Sequence, residues 1–247
     1  MDITIVMLHY KRPLDNLKII IDRLMTKPDK SLREIVIFNN DPGVKLGQKY
    51  RGATVINAGR NFFVPIRHAL AIALESTHYL FVDDDISISP ATVGVFREWT
   101  GKFPEAVLGL FGMRLAVSSK EPYTDGKHLN SKTRPKGPAE VDVVVGRVHF
   151  CRADKLVQSF WWRTHISGFP GKHHLTRVGE DIILSLANRF AGHKNFLIPL
   201  GQGVEFQELS EGTFSVCKTG EHWGQRNRAV LDMMQAYGAG YENTLGF

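Results

Sequence analysis

The sequence has few cysteines and no long apolar run. Cys151 and Cys217 are its only cysteines, too few for a disulfide framework and not in a CxxC pair. We expect both to be small buried residues. No segment has the ~18 or more apolar residues of a membrane span, and Met1 leads almost directly into a strand-like run, which leaves no room for a signal peptide. We therefore expect no transmembrane segment and a cytoplasmic location.

The sequence also lacks internal repeats, zinc-finger spacing and an RNA-binding aromatic signature. Its 247 residues carry a formal net charge of +6, and 43% of them are hydrophobic, as in an ordinary globular protein. The positive charge favours an anionic ligand. Because the basic residues are dispersed, a phosphorylated small molecule explains the charge as well as a polynucleotide does. We expect no nucleic-acid partner and a single domain over residues 1–247.

Strands and helices alternate in the first half of the chain. Apolar runs predict strands at residues 3–8, 34–38, 54–56 and 79–82, and apolar residues at helical spacing predict helices at 14–25 and 66–74. This order is typical of an α/β fold with a mostly parallel, doubly wound central sheet flanked by helices.

The second half is less regular. We expect strands at 106–112, 141–145 and 195–200, and helices at 153–163, at 182–191 and at the end of the chain, reaching residue 237. The polar segment 118–140 has two interpretations that remain open: a solvated excursion, or a functional segment that serves as a mobile lid or an acceptor-binding loop. His173 and His174 lie in a polar stretch and are expected to face solvent.

Three consecutive carboxylates, Asp83, Asp84 and Asp85, end the predicted strand at 79–82. Adjacent half-buried carboxylates resist ionisation unless a cation or hydrogen-bond donors stabilise them. In an extended chain Asp83 and Asp85 point to one side and Asp84 to the other. Oxygen-only ligation suits Mg²⁺ or Mn²⁺, although an acidic turn is the alternative.

Other polar residues follow neighbouring strands. Tyr10 and Arg12 come after the first strand, and Asn39 and Asn40 end the second. Ligands of doubly wound sheets bind beyond the carboxyl ends of the strands. We therefore expect these side chains to meet the acidic triplet in one site.

Six short segments stand out in order along the chain: 6–13, 35–40, 80–85, 141–146, 180–182 and 222–226, the last continuing to Tyr237 and Gly238. Together they resemble the motifs of the exostosin-type, family 64 glycosyltransferases of the GT-A (nucleotide-diphospho-sugar transferase) fold. This resemblance implies transfer of a sugar, a hexose or an N-acetylhexosamine, from a UDP-sugar to a saccharide hydroxyl with retention. It also implies Mn²⁺ or Mg²⁺ as cofactor, a nucleotide-sugar half at 1–112 and an acceptor-binding and catalytic half at 113–247.

The resemblance also implies a role for each matching residue. Asp85 is the expected metal ligand, with Asp83 and His222 as further candidates. Asp181 is the expected catalytic carboxylate, and Glu180 is expected to support it. Arg226 is expected to contact the donor diphosphate. Residues expected to bind the donor are Tyr10, Arg12, Asn39, Asn40, Asn61, Arg67, Asp83 and Asp84.

The sequence departs from the family where a stretch of small residues is expected. Arg147 and His149 occupy that stretch, so we expect an altered acceptor pocket. Two other functions stay open: a sugar-1-phosphate nucleotidyltransferase, or a non-catalytic saccharide-binding protein of the same fold. The first usually carries a glycine-rich loop after its first strand, and residues 9–13 contain no glycine. A non-catalytic binding protein would be expected to lose an aspartate from the acidic triplet 83–85 or from the segment 180–182, and both motifs are intact.

Overall fold

The computed structural model describes residues 1–133, 137–167, 178–201, 205–212 and 221–238. The first half of the chain follows the predicted alternation. Its strands and helices are, in order, β1 (Ile3–His9), α1 (Leu14–Met25), β2 (Leu32–Asn39), β3 (Lys49–Tyr50), β4 (Ala53–Asn57), α2 (Ile66–Ile72), β5 (His78–Asp83), β6 (Ile86–Ile88) and α3 (Pro90–Lys102).

The second half contains short strands around three longer helices. Its elements are β7 (Val107–Gly109), β8 (Phe111–Arg114), β9 (Lys127–Asn130), a 3₁₀ turn (Ser131–Thr133), β10 (Ala139–Val141), β11 (Val143–Val144), β12 (Val148–Arg152), α4 (Ala153–Ser167), α5 (Glu180–Phe190), β13 (Asn195–Leu197), β14 (Phe206–Glu208) and α6 (His222–Gly238).

A nine-stranded sheet runs through the molecule in the order β10-β13-β7-β12-β5-β1-β2-β4-β3. Six of these strands point the same way, and β12, β10 and β3 run against them. Ile5 of β1 pairs with Ile35 on one side and Leu80 on the other, so β1 lies at the centre. The predicted α/β class with a mostly parallel central sheet is confirmed.

Helices cover both faces of this sheet. Side chains alternate along β1, so Ile3, Ile5 and Met7 pack with α1, whereas Val6 packs on the opposite face in a cluster with residues of α2, α4 and α5. Both clusters are apolar and account for the continuous hydrophobic runs of the parallel strands. Among the described residues, no helix is both long enough and apolar enough to cross a bilayer.

The second half differs from expectation in several places. The predicted strands at 106–112 and 141–145 are each broken between two sheets, and segment 118–140 contains β9, which pairs with β8. The sequence pattern does not predict α3, nor β12 as a central strand. Cys151 is buried in β12 as expected; Cys217, His173 and His174 lie outside the described residues.

Candidate active site

A cavity of about 850 Å³ opens at the carboxyl ends of β1, β2 and β5. β2 and β5 lie on opposite sides of β1, so the chain reverses its winding direction there, and such a switch point is where α/β sheets bind ligands. The cavity is lined by every predicted site residue except Asn39: Tyr10, Arg12, Asn40, Asn61, Arg67, Asp83, Asp84, Asp85, Glu180, Asp181, His222 and Arg226.

Asp83 ends β5 and is held by Arg67, whose Nη1 donates to Asp83 Oδ1 at 2.6 Å. Burial raises the pKa of Asp83 to about 7 against the effect of Arg67, and the charges of Asp85 and Asp84 raise it further. The carboxylate therefore sits in an environment with too little positive charge to keep it fully ionised.

Asp84 contacts residues of the loop after β1 and of α1. Its Oδ2 accepts the backbone N–H of Tyr10 at 3.0 Å and lies 3.2 Å from His9 Nδ1, and Arg12 Nε lies 3.6 Å from Oδ1. Its backbone carbonyl accepts Asn16 Nδ2 at 2.9 Å. The residue thus fixes the loop after β1 to the end of β5.

Asp85 lies between two arginines. Its Oδ2 accepts Arg12 Nη2 at 2.9 Å, whereas Oδ1 is buried without a hydrogen bond among the described residues and lies 3.9 Å from Arg147 Nη2. Burial raises the pKa of Asp85, although both arginines oppose this effect. A buried carboxylate oxygen without a hydrogen bond is uncommon and marks a place where a cation would be stabilised.

Arg67 connects the two walls of the cavity. Only 2% of the residue is exposed, and Nη2 donates to Glu180 Oε1 at 2.6 Å and to the Gly146 carbonyl at 3.0 Å. A Cβ at Gly146 would lie 2.6 Å from Arg67 Nη2, so the contact requires glycine. The two flanking carboxylates raise the pKa of Arg67 against the effect of its burial.

Asp181, in the first turn of α5, faces Arg226 of α6. Its Oδ2 accepts Arg226 Nη2 at 2.7 Å and the Gly146 N–H at 2.8 Å, while Oδ1 accepts the Ile182 N–H. Burial alone would raise the pKa of Asp181, but Arg226 and the Gly146 N–H hold it at about 2. Asp181 is therefore a permanent carboxylate at neutral pH.

Tyr123 completes this wall. Arg226 Nη2 also donates to the Tyr123 hydroxyl at 2.7 Å, and the guanidinium carbon lies 4.3 Å from the centre of the Tyr123 ring. The Tyr123 N–H donates to Asn227 Oδ1 at 2.8 Å, which fixes the tyrosine to α6. Sequence reasoning misses Tyr123 because it lies in segment 118–140, where one aromatic residue in a polar stretch is the only signal.

His222 begins α6 beside this wall. Its Nδ1 is buried and makes no hydrogen bond among the described residues. Burial and the charge of Arg226 lower the pKa of His222 to about 4, so the imidazole is neutral at pH 7. Neutral imidazole is the form that ligates metals.

The asparagines at the end of β2 differ in their contacts. Asn40 Nδ2 donates to Asn61 Oδ1 at 2.8 Å and Asn40 Oδ1 accepts the Phe62 N–H at 2.8 Å, so Asn40 shapes the loop before α2. Asn39 is fully buried and donates to Val44 O and Asn57 Oδ1. The structure therefore does not bring Asn39 into the cavity.

Of the two bulky residues expected to alter the acceptor pocket, only Arg147 lines the cavity. His149 is fully buried in β12, stacked 4.5 Å from Phe81 with its Nε2 2.9 Å from His68 Nε2. Its Nδ1 lies 3.1 Å from the Gly146 carbonyl. The expectation that His149 reshapes the pocket is wrong, because strand alternation turns its ring away from the cavity.

The cavity is acidic although the chain is basic. Among the described residues that line it, eight carry carboxylates and four carry guanidinium groups. No three His, Cys, Asp or Glu side chains within the described ranges converge as a closed metal site. The lining therefore offers separate oxygen and nitrogen ligands, and any ion would take its remaining ligands from a substrate or water.

No protein-family model and no curated protein matches this sequence. Among solved structures, the chain is similar to a crystal structure of GalNAc-T7 with UDP, GalNAc and Mn²⁺, with a TM-score of 0.65 and 12% identity. The similarity covers 96% of this chain and 50% of the other, so the chain spans about half the length of that protein. At this identity the likeness concerns the fold: the chain has the GT-A fold of glycosyltransferases, which agrees with the expected fold and leaves the exostosin-type family undecided.

Proposed function

We propose that the protein is a metal-dependent glycosyltransferase that moves a sugar, a hexose or an N-acetylhexosamine, from a UDP-sugar to a saccharide hydroxyl with retention. The GT-A fold supports this reaction class, as do the UDP and Mn²⁺ that accompany GalNAc-T7 in the similar structure. In this proposal residues 1–112 bind the donor and residues 113–247 supply the acceptor-binding and catalytic part.

The observation that carries the proposal is the excess of carboxylates around the cavity. A nucleotide diphosphate brings further negative charge into a lining with eight carboxylates and four guanidinium groups among the described residues. Like charges in a partly desolvated site repel strongly. A divalent cation removes this repulsion, and the raised pKa values of Asp83 and Asp85 fit a site that holds one.

The residues present fit such an ion. Asp85 Oδ1 and His222 Nδ1, which have no hydrogen bond within the described parts of the chain, are a hard oxygen and a neutral imidazole that line the same cavity. Each is a candidate ligand, as is Asp83, and a substrate or water would supply the remaining ligands because no three such side chains come together in the described residues. Mn²⁺ accepts both ligand types, while Mg²⁺ prefers oxygen and retains water. When bound, the ion would neutralise charge that develops on the departing diphosphate.

Donor binding is proposed for the loops beyond β1 and β2. Tyr10, Arg12 and Asn61 line the cavity, and Asn40 orients Asn61 through the amide contact at 2.8 Å. Asn61 Oδ1 already accepts Asn40 Nδ2 and the Phe63 N–H, so Asn61 Nδ2 is the group proposed to donate to a uracil carbonyl. Arg67 is proposed to act on the donor indirectly, by positioning Asp83, because its guanidinium already donates to Asp83 and Glu180.

Asp181 is the proposed catalytic carboxylate. With a pKa of about 2 it is a poor proton acceptor at neutral pH, and this favours stabilisation of positive charge at the anomeric carbon over general base catalysis. Arg226 and Gly146 fix the carboxylate in position before substrate arrives, which is the preorganisation that electrostatic catalysis needs. Glu180 supports this arrangement through Arg67.

The test is UDP release from a panel of UDP-sugars with Mn²⁺ and with EDTA. We expect release with at least one donor, dependent on metal and lost in Asp85→Asn. Asp22→Asn is the matched control, because Asp22 is a half-exposed carboxylate paired with Arg51 outside the cavity. If no UDP-sugar is hydrolysed or transferred under any metal condition, the proposal is overturned.

A second experiment separates binding from chemistry. Asp181→Asn should leave the affinity for UDP and Mn²⁺, measured by titration calorimetry, within about twofold. It should lower turnover by roughly 10²-fold or more if the carboxylate stabilises transition-state charge. Normal turnover in this variant would contradict the role given to Asp181.

A further inference from the structure

We propose that the exposed face of Trp223 is the acceptor subsite and that it selects an uncharged sugar ring over a uronic acid. This inference rests on the proposed glycosyltransferase function. It concerns the first turn of α6, where the sequence predicts only His222 and Arg226 as site residues.

Trp223 is a large aromatic residue that the fold leaves partly exposed. It is 41% exposed and lines the cavity, although burying a tryptophan is ordinarily a strong gain in stability. Three other rings lie close to it. The ring centres of His222, Tyr123 and His128 lie 5.1, 6.2 and 6.1 Å away, and both histidine planes are nearly perpendicular to the indole plane. A rigid, exposed indole in a cavity wall provides a flat apolar platform for a ligand.

The platform is connected to the proposed catalytic carboxylate by direct contacts. Tyr123 packs against Trp223, its hydroxyl accepts Arg226 Nη2 at 2.7 Å, and the same Nη2 donates to Asp181 Oδ2 at 2.7 Å. Trp223 and Asp181 line the same cavity, so a ring placed on Trp223 would share that cavity with the proposed catalytic carboxylate.

The chemistry of an indole face matches one side of a pyranose. The aromatic face carries the negative part of the ring quadrupole and attracts the weakly positive C–H groups of the sugar. The equatorial hydroxyls then point sideways to polar groups. Glu221 and Gln225, each two residues from Trp223, also line the cavity, and Gln225 Nε2 donates to Glu221 Oε2 at 3.3 Å.

Charge near the platform disfavours an acidic acceptor. Glu221 is an exposed carboxylate, and Arg226 Nη2 already serves both Asp181 and Tyr123. Burial and the charge of Arg226 lower the pKa of His128, so this ring adds no positive charge at pH 7. A uronic acid would bring a further carboxylate into a cavity whose described lining already has eight carboxylates and four guanidinium groups.

The experiment compares matched acceptors that differ only at C6. Neutral p-nitrophenyl glucoside, galactoside and N-acetylglucosaminide are tested against the corresponding glucuronide and galacturonide, with the UDP-sugar and Mn²⁺. Donor hydrolysis without acceptor is measured in parallel. Failure of wild-type hydrolysis would refute the proposed function, whereas failure of this inference appears only in the acceptor data.

Trp223→Ala should raise the acceptor KM at least about tenfold, the ratio that corresponds to ~1.4 kcal/mol, with donor hydrolysis within twofold of wild type. Trp223→Phe should restore most of the acceptor affinity. Phe160→Ala, which removes a 44% exposed aromatic outside the cavity, should change neither quantity. Glu221→Gln should reduce the preference for neutral acceptors by about two- to fivefold, the range for an exposed charge.

Three results would overturn the inference. The first is an unchanged acceptor KM in Trp223→Ala, and the second is a loss of donor hydrolysis in that variant equal to the loss of transfer. The third is equal or better use of the uronic acids by the wild-type protein. If transfer is too slow to measure, titration calorimetry measures binding of the same glycosides in the presence of UDP and Mn²⁺. The absence of binding of every neutral glycoside would also overturn the inference.

Discussion

Replacing Arg67 with methionine tests whether the guanidinium holds the cavity together. Methionine keeps the apolar stem but removes the donors to Asp83, Glu180 and the Gly146 carbonyl. Breaking a buried ion pair by removing one partner costs ~3–5 kcal/mol, because the remaining charge is buried without compensation. Arg67 has two carboxylate partners, so we expect the free energy of unfolding to fall by about that amount at pH 7.

The loss should depend on pH in a defined direction. Without the guanidinium, the pKa of Asp83 in the folded state rises further above its unfolded value. A carboxyl group whose folded pKa is raised contributes less stability as pH rises from its unfolded to its folded pKa. The difference between Arg67→Met and the wild type should therefore be larger at pH 8 than at pH 6.

The measurement is urea unfolding followed by fluorescence, comparing midpoints at equal m-values. Lys102→Met is the matched control, since it breaks the exposed pair of Lys102 with Glu98 and should cost ~0.5 kcal/mol or less. Adding Glu180→Gln to Arg67→Met should recover part of the loss by removing one uncompensated charge. A loss below about 1 kcal/mol, comparable to surface pairs, would refute the reasoning.

Two further predictions concern the groups around this network. Burial lowers the pKa values of His68 and His149 well below 6.5, so the contribution of these two histidines to the free energy of unfolding should be flat above pH 6.5. It should fall below that pH by up to ~1.4 kcal/mol per pH unit for each histidine; urea unfolding from pH 7.5 to 5 checks this, and His68→Gln should reduce the slope. Gly146→Ala would place a Cβ 2.6 Å from Arg67 Nη2 and should cost ~1–3 kcal/mol. Gly101→Ala lies in α3 and its Cβ would meet nothing within 4 Å, so it should be neutral or stabilising by up to ~1 kcal/mol. Equal stability of both variants would contradict the close packing at Gly146.

The fold could be predicted where hydrophobic periodicity is strong. Apolar runs and helical spacing indicate β1, α1, β2 and β5, and their order implies a doubly wound sheet. The helix α3 is not evident because Thr92, Val93, Gly94 and Val95 are poor helix formers, so tertiary packing rather than propensity decides it. β12 is not evident because it contains His149 and Arg152, and its place between β5 and β7 depends on pairing with distant strands.

The site could be predicted as a set of residues, but their contacts could not. Residues at the ends of neighbouring strands converge because parallel strands end at the same edge. Which of Asn39 and Asn40 faces the cavity depends on side-chain direction at the strand end, which their adjacency does not reveal. Tyr123 and Arg226 are 103 residues apart, and only the folded chain brings the hydroxyl to the guanidinium.

The peptide units on either side of Gly146 join the two halves of the cavity. The Gly146 carbonyl accepts Arg67 from the wall with Asp83, and the Gly146 N–H donates to Asp181 on the wall with Arg226. Glu180 and Asp181 are consecutive at the start of α5, and each takes one of the two arginines. A shift of Arg67 is therefore transmitted to Asp181, the carboxylate proposed for catalysis, by the contacts of Arg67 with Gly146 and Glu180. For this reason the stability of the Arg67 network and the turnover supported by Asp181 should change together in variants of Arg67 or Gly146.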